Sequence, residues 1–153
     1  MEPSPNGSTN FPAKSRLTMQ HALQLSRLSF TYRSWKEEVC DSLFSDLSLD
    51  LQEGSKTLLL APFNKGKTTL AKIICKVCPK YFPGSLEGSI TMFGMDLSTL
   101  EPWDLLGLCS FVSQNPQEQF IAASVEEELA FPLESMGIER DEMVRRITGA
   151  LNL

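Results

Sequence analysis

The chain has 153 residues, of which 42% are hydrophobic and 22% charged. That is the size and mix of one ordinary globular domain, able to bury a core without disulfide or metal staples. Its net charge of −5, from 14 Lys and Arg against 19 Asp and Glu, argues against nucleic acid as a partner, because such affinity comes largely from basic side chains meeting phosphates.

No apolar run approaches the roughly 20 residues that cross a bilayer, so any membrane association is expected to come through a partner. Residues 1–21 read as a flexible polar tail, with Pro3, Pro5 and Pro12 and no apolar stretch of the secretory kind. The ordered part is expected over residues 22–153, in the cytoplasm. Leu23 and Leu25 alternate with polar residues, and Leu28, Phe30 and Tyr32 alternate in the opposite phase. That pattern predicts a strand with a bulge near Ser26 and Arg27. Residues 33–42 read as a charged hairpin loop. Leu47, Leu49 and Leu51 predict a half-buried strand, and Glu53-Gly54 a turn.

The run Thr57–Ala61 is short and apolar, which suits a strand buried on both faces of a parallel sheet. After a small loop, Leu70, Ile73, Ile74 and Val77 recur at helical spacing, predicting a helix from Lys67 to about Val77, stopped by Pro79. Residues 79–89 read as a loop, Ser89–Phe93 as a strand and Gly94 as a turn. Pro102–Leu106 suggests a short helix, and Cys109–Ser113 a second buried strand. Ser124, three residues before Glu127, has capping-box spacing and opens a helix to about Met136. Pro132 interrupts or bends it, and Gly137 caps it. A last helix starts near Arg140 or Asp141 and carries Met143, Val144, Ile147 and Leu151. The order of elements predicts a small antiparallel β-subdomain attached to an α/β core.

The four cysteines are Cys40, Cys75, Cys78 and Cys109. Cys75 and Cys78 form a CxxC, but a zinc site needs more ligands and the single histidine, His21, is remote in sequence. The pair lies in an apolar run, so both thiols are read as buried and structural.

The segment Ala61-Pro62-Phe63-Asn64-Lys65-Gly66-Lys67-Thr68-Thr69 follows the buried strand and opens the helix. A phosphate-binding loop lies in that context. The first turn of a helix has N–H groups without internal partners, and its dipole is positive there. Gly66 allows close approach of the backbone. Lys67 reaches the β- and γ-phosphates, the Thr68 hydroxyl suits Mg²⁺, and Thr69 faces the α-phosphate region. The usual pattern is G-x-x-x-x-G-K-[ST]; here Ala61 replaces the first glycine, and Asn64 and Lys65 stand where glycine and a small residue are common. Asn64 tolerates left-handed backbone. Ala61 is strained by about 1–2 kcal/mol if its position needs φ > 0, and harmless if it does not. The plainer reading of GKTT is a cap on an ordinary helix.

Further motifs carry a family resemblance. Gln114-Asn115-Pro116-Gln117-Glu118-Gln119-Phe120 is followed by Val125-Glu126-Glu127-Glu128-Leu129-Ala130-Phe131. Over residues 22–153 the chain resembles the first half of an ABC ATPase domain. It is most similar to the energy-coupling factor type, which powers uptake of vitamins, cobalt or nickel. There, Q-N-P-x-x-Q followed by V-E-E-x-x-A-F marks the Q-loop and the helix after it. The resemblance makes Gln114 the Q-loop glutamine, acting with Lys67 in catalysis and with Thr68 on Mg²⁺. It makes Tyr32 an aromatic that stacks on adenine, against the plainer reading of a core-packing aromatic. The ATP-binding residues are then Tyr32, Asn64, Lys65, Gly66, Lys67, Thr68 and Thr69. Glu126, Glu127 and Glu128 are read as a solvated helix start favoured by the dipole. Residues 79–90 are similar to segments of proteins with two fused cassettes.

The resemblance implies a partial P-loop NTPase core with an N-terminal antiparallel β-subdomain, truncated before the LSGGQ motif and the Walker B strand. It implies a second ATPase cassette, a transmembrane coupling subunit and a substrate-binding membrane subunit as partners, and a peripheral position on the inner face of the membrane. The 153 residues alone are expected to lack meaningful ATPase activity and to be marginally stable. A degenerate, non-hydrolysing cassette is the alternative. A small kinase or GTPase fits poorly, because a β-rich segment precedes the loop and no N-K-x-D motif follows.

Overall fold

The computed structural model describes residues 21–33 and 42–152. Of the expected tail over residues 1–21, residues 1–20 lie outside the described residues, as do most of the expected loop over 33–42 and Cys40; His21 instead opens the first strand, where it pairs with Gln52.

A four-stranded antiparallel sheet runs in the order β2-β1-β3-β4, formed by β1 (His21–Tyr32), β2 (Phe44–Gln52), β3 (Gly84–Met92) and β4 (Met95–Asp96). The central strand β1 pairs with β2 on one side and β3 on the other. Its register slips between Leu25 and Leu28 against β2, and between Ser26 and Ser29 against β3. Arg27 sits at this bulge with φ 48°. The extra residue shifts the alternation by one, so Leu23, Leu25, Leu28 and Phe30 all point to the same buried face. Gly88 lies across from the bulge. A Cβ there would meet the Arg27 carbonyl oxygen at 2.5 Å and the Ser26 carbonyl oxygen at 2.6 Å, and its φ is +93°. The strand can bulge toward β3 because that position carries no side chain.

Helix α1 (Lys67–Ile74) buries Leu70 and Ile73 against this face. Cys78, Ile90, Met92, Leu97 and Leu105 complete the core, with Leu47, Leu49 and Leu51 of β2 packed at its edge. The helix stops three residues short of the expected Val77. Lys76 takes φ 57°, and the N–H groups of Val77 and Cys78 turn back to the Lys72 carbonyl. Lys76 also donates from Nζ to the Leu97 and Leu100 carbonyls, so the helix end is held to the turn after β4. Strand β3 starts at Gly84, five residues earlier than the hydrophobic pattern suggests. Gly84 to Ser89 extend the pairing with β1 through backbone hydrogen bonds, which need no apolar side chains.

Two expected strands do not form. Residues 57–61 and 109–113 have no ladder partner among the described residues, and Leu58 and Leu60 are 80% and 79% exposed. A doubly buried parallel strand exists only when neighbours cover its edges and faces. The described sheet is antiparallel throughout. Among the described residues, only the β-subdomain of the expected architecture has a formed sheet.

The C-terminal part is helical. After 3₁₀ turns at Leu97–Thr99, Pro102–Leu105 and Pro116–Gln119 come α2 (Val125–Ser135) and α3 (Arg140–Leu151). Ser124 caps α2, its hydroxyl accepting from the Glu127 N–H at 3.2 Å. The helix continues through Pro132 and closes at Gly137, where φ is 67°. No helix among the described residues is long and apolar enough to cross a membrane.

Phe30 has no exposed surface; it stacks on Phe44 and meets Tyr32 edge-on. Phe30→Ala is expected to cost about 3–5 kcal/mol, read as a lowered urea midpoint. A loss below 1 kcal/mol would show that this face of β1 is not the core.

Candidate functional site

The loop between residues 61 and 66 leads directly into α1. Asn64 (φ 59°) and Gly66 (φ 80°) are left-handed, and this curls the loop around the helix start. Ala61 is not among the left-handed residues, so alanine carries no strain where the usual motif has glycine. At Gly66 a Cβ would approach Leu43 Cδ2 to 2.9 Å, which adds crowding to the left-handed conformation.

The first N–H groups of an α-helix have no acceptor within the helix. No side chain caps the start of α1, and no carboxylate stands in its first turn. The positive end of the helix is therefore open to an anion. Lys67 folds back over the loop, donating from Nζ to the carbonyls of Ala61 at 2.7 Å and Pro62 at 2.8 Å. Neutral carbonyls satisfy its donors but not its charge.

Tyr32 ends β1. Its ring meets Phe30 edge-on at 4.9 Å, and its hydroxyl shares a 2.9 Å hydrogen bond with the Thr69 hydroxyl. Thr69 is buried, so this bond ties the end of the sheet to α1. Burial pushes the Tyr32 phenol above its ordinary pKa, while the Thr69 bond opposes part of that shift. Tyr32 stays 36% exposed on its remaining side. The ring is both core-packed and accessible.

These groups surround one cleft of about 450 Å³. Every residue from Phe63 to Thr69 lines it, together with Tyr32, Leu43 and Gln114. The structure thus brings Tyr32, Gln114 and Asn64 to Thr69, the residues expected to bind ATP or act in catalysis, around one cleft. Sequence reasoning missed Leu43 and Phe63. Neither belongs to a periodic pattern, and Leu43 lies 20 residues before Phe63 in the chain.

Gln114 is carried by a segment without strand pairing. Gln119 does the work of a neighbouring strand for it: its side-chain oxygen accepts from the Ser113 N–H at 2.8 Å, and its amide donates to the Phe111 carbonyl at 3.0 Å. Ser113 donates from Oγ to the Asn115 carbonyl, and the Asn115 amide donates to Glu118 Oε1, both at 2.7 Å. The turn that presents Gln114 is closed by its own side chains.

Glu127 and Glu128 have a role beyond that of solvated helix-start residues. Glu128 Oε2 accepts from the N–H groups of Ile121 at 3.0 Å and Ala122 at 2.9 Å, and Glu127 Oε2 from that of Ala123 at 3.2 Å. They hold the loop entering α2. The capping-box spacing was the available signal, although the box is displaced: Glu127 reaches Ala123, not Ser124.

Residues of the chain are 35% identical to the energy-coupling factor transporter ATP-binding protein EcfA1 of Enterococcus faecalis over 133 residues, 87% of the chain. Against EcfA1 of Ligilactobacillus salivarius the identity is 32% over 137 residues, 90% of the chain. Against EcfA1 of Latilactobacillus sakei it is 37% over 111 residues. Over most of its length the chain is thus similar to energy-coupling factor transporter ATP-binding proteins. It spans 45% of the length of the first two. No family model matches it.

Two substitutions probe this geometry. Gly66→Ala is expected to cost about 1–2 kcal/mol through the left-handed backbone, seen as a lowered thermal midpoint; an unchanged midpoint would show the loop can unwind freely. Gln119→Leu removes both bonds to the Phe111–Ser113 segment, each worth about 0.5–1.5 kcal/mol. Amide exchange at Ser113 should then speed up while that of the Leu25 and Ile90 ladder stays unchanged.

Proposed function

We propose that residues 22–153 are the N-terminal part of an ABC transporter ATPase domain of the energy-coupling factor type, and that the cleft at the start of α1 binds ATP. The observation that carries this reading is the convergence of an uncapped helix N-terminus, a lysine held only by neutral carbonyls, and a half-exposed tyrosine around one cleft. The similarity to energy-coupling factor ATP-binding proteins supports it.

Binding follows from those parts. The phosphate tail meets the backbone amides from Asn64 to Thr69. Lys67 exchanges the Ala61 and Pro62 carbonyls for phosphate oxygens, replacing neutral acceptors by charged ones, and charge-assisted bonds are about twice as strong. The exposed side of Tyr32 takes the adenine ring. The Thr68 hydroxyl and the Gln114 amide oxygen are the donors suited to Mg²⁺, which favours oxygen ligands and neutralises phosphate charge. Lys67 and Gln114 are the residues assigned to the hydrolytic step, Lys67 on the transferring phosphoryl group and Gln114 on the attacking water.

Hydrolysis requires elements outside these 153 residues. No LSGGQ motif or Walker B strand occurs in them. The exposed runs at 57–61 and 109–113 are suited to pairing with further parallel strands, which would bury Leu58, Leu60 and Val112. A second ATPase cassette then faces the loop in the assembled motor. The transmembrane coupling subunit has a candidate contact in the hollow of about 440 Å³ between Ile121, Ala130 and Phe131, flanked by Glu127 and Glu134. Such partners would hold the protein peripherally at the membrane and make it one of the ATP-driven subunits of an importer.

Equilibrium binding of Mg-ATP tests this reading. Lys67→Ala removes charge-assisted bonds worth about 1.5–3 kcal/mol each, so affinity should fall by about 10-fold or more. Tyr32→Ala should cost ATP about 1–3 kcal/mol and leave inorganic triphosphate unaffected. Equal Mg-ATP affinity in the parent chain and the Lys67→Ala variant would end the proposal.

A further inference from the structure

Two thiols at the end of α1 opposite the cleft face each other from different elements. Cys75 closes the C-terminal end of α1, and Cys109 follows the Pro102–Leu105 turn at the root of the segment that carries Gln114. Their sulfurs are 4.0 Å apart although the residues are separated by 34 positions. Both are partly buried, within reach of small reagents. We propose that Cys75 and Cys109 form a reversible disulfide that fastens the Gln114 segment to α1.

The geometry favours this pair over the other described thiol. Cys78 is buried and faces the Tyr32 hydroxyl and Lys72. No cluster of three or more His, Cys, Asp or Glu residues suited to a metal occurs among the described residues, so the pair is not part of a metal site there. A disulfide needs the sulfurs at about 2.05 Å, so the two must approach by about half their present separation. That movement falls on residues 109–113, which have no strand ladder to break. Beyond them, the Gln119 clamp makes Phe111–Gln119 one closed turn. Fixing Cys109 therefore fixes the root of that turn, five residues from Gln114.

The resting pair is reduced. Burial first, and the neighbouring Cys109 second, push the Cys75 thiol up to about 12, so it stays protonated at neutral pH and reacts slowly. Hydrogen peroxide supplies the required oxidant. The two thiols give up two protons and two electrons, an S–S bond forms, and the peroxide O–O bond breaks to yield two waters. A dithiol reverses the step by thiol–disulfide exchange. In a compartment kept reducing by glutathione, disulfides of this transient kind are redox-sensing, not structural. The effect on nucleotide rests on the ATP-binding reading, because it acts through Gln114 at the edge of that cleft.

The test treats the chain with hydrogen peroxide, blocks free thiols with iodoacetamide and maps the peptides by mass spectrometry. The expected result is a Cys75–Cys109 cross-link that dithiothreitol reverses and that either Cys75→Ser or Cys109→Ser abolishes. Amide exchange of residues 109–113 should become about tenfold slower in the oxidised chain, and Mg-ATP affinity should differ between the two redox states. Alkylation of both cysteines after oxidation, a cross-link to a different cysteine, or unchanged exchange in residues 109–113 would overturn the proposal. Equal Mg-ATP affinity in both states would overturn its link to the cleft. Absence of Mg-ATP binding by the reduced chain would instead refute the nucleotide reading, and the cross-link and exchange measurements would still decide the disulfide.

Discussion

One apolar face, that of β1, organises the described structure. Leu23, Leu25, Leu28 and Phe30 share it only because the chain bulges at Ser26–Ser29, opposite Gly88. Without that extra residue the second half of the strand would turn its leucine and phenylalanine to solvent. Helix α1 docks on this face through Leu70 and Ile73, and the position of its N-terminus follows. The Tyr32–Thr69 hydrogen bond then locks the end of the strand to the first turn of the helix. The cleft is a consequence of core packing, since the same contacts that bury Phe30 set the distance between Tyr32 and the loop.

The loop itself is in a waiting electrostatic state. The helix start is uncapped and without a carboxylate, and Lys67 rests on two carbonyls of its own loop. An anion would improve both at once. It would supply acceptors to the amides and a counter-charge to the ammonium, with local rearrangement of one side chain. A loop built this way presents backbone donors that almost any residue can provide. This explains how Ala61 and Lys65 depart from the usual motif while the left-handed positions, Asn64 and Gly66, keep residues that tolerate them.

Side chains replace missing strands in the second half of the chain. The Gln119 amide satisfies an N–H and a carbonyl two residues apart, the same pair a neighbouring strand would engage. Glu127 and Glu128 gather three backbone N–H groups before α2. These clamps hold Gln114 and the α2 entry in position while Leu58, Leu60 and Val112 remain exposed. Local polar bonds can shape a loop but cannot bury apolar surface, which needs another layer.

What the sequence determined by itself was local. The phase change near Ser26 announced the bulge, Ser124 the start of α2, Gly137 its end, and the residues from Asn64 to Thr69 the loop ahead of a helix. These follow from backbone preference and side-chain periodicity over a few residues, which act whether or not a partner is present. The tertiary structure decided the rest. It left the runs at 57–61 and 109–113 unpaired despite their strand-like composition, because β structure needs a neighbour and composition does not supply one. It brought Leu43 and Phe63 to one cleft, and Cys75 to Cys109 elsewhere, from distant positions in the chain. It also showed that Ala61 is unstrained, since the sign of φ depends on how the whole loop closes around the helix and not on the residue alone.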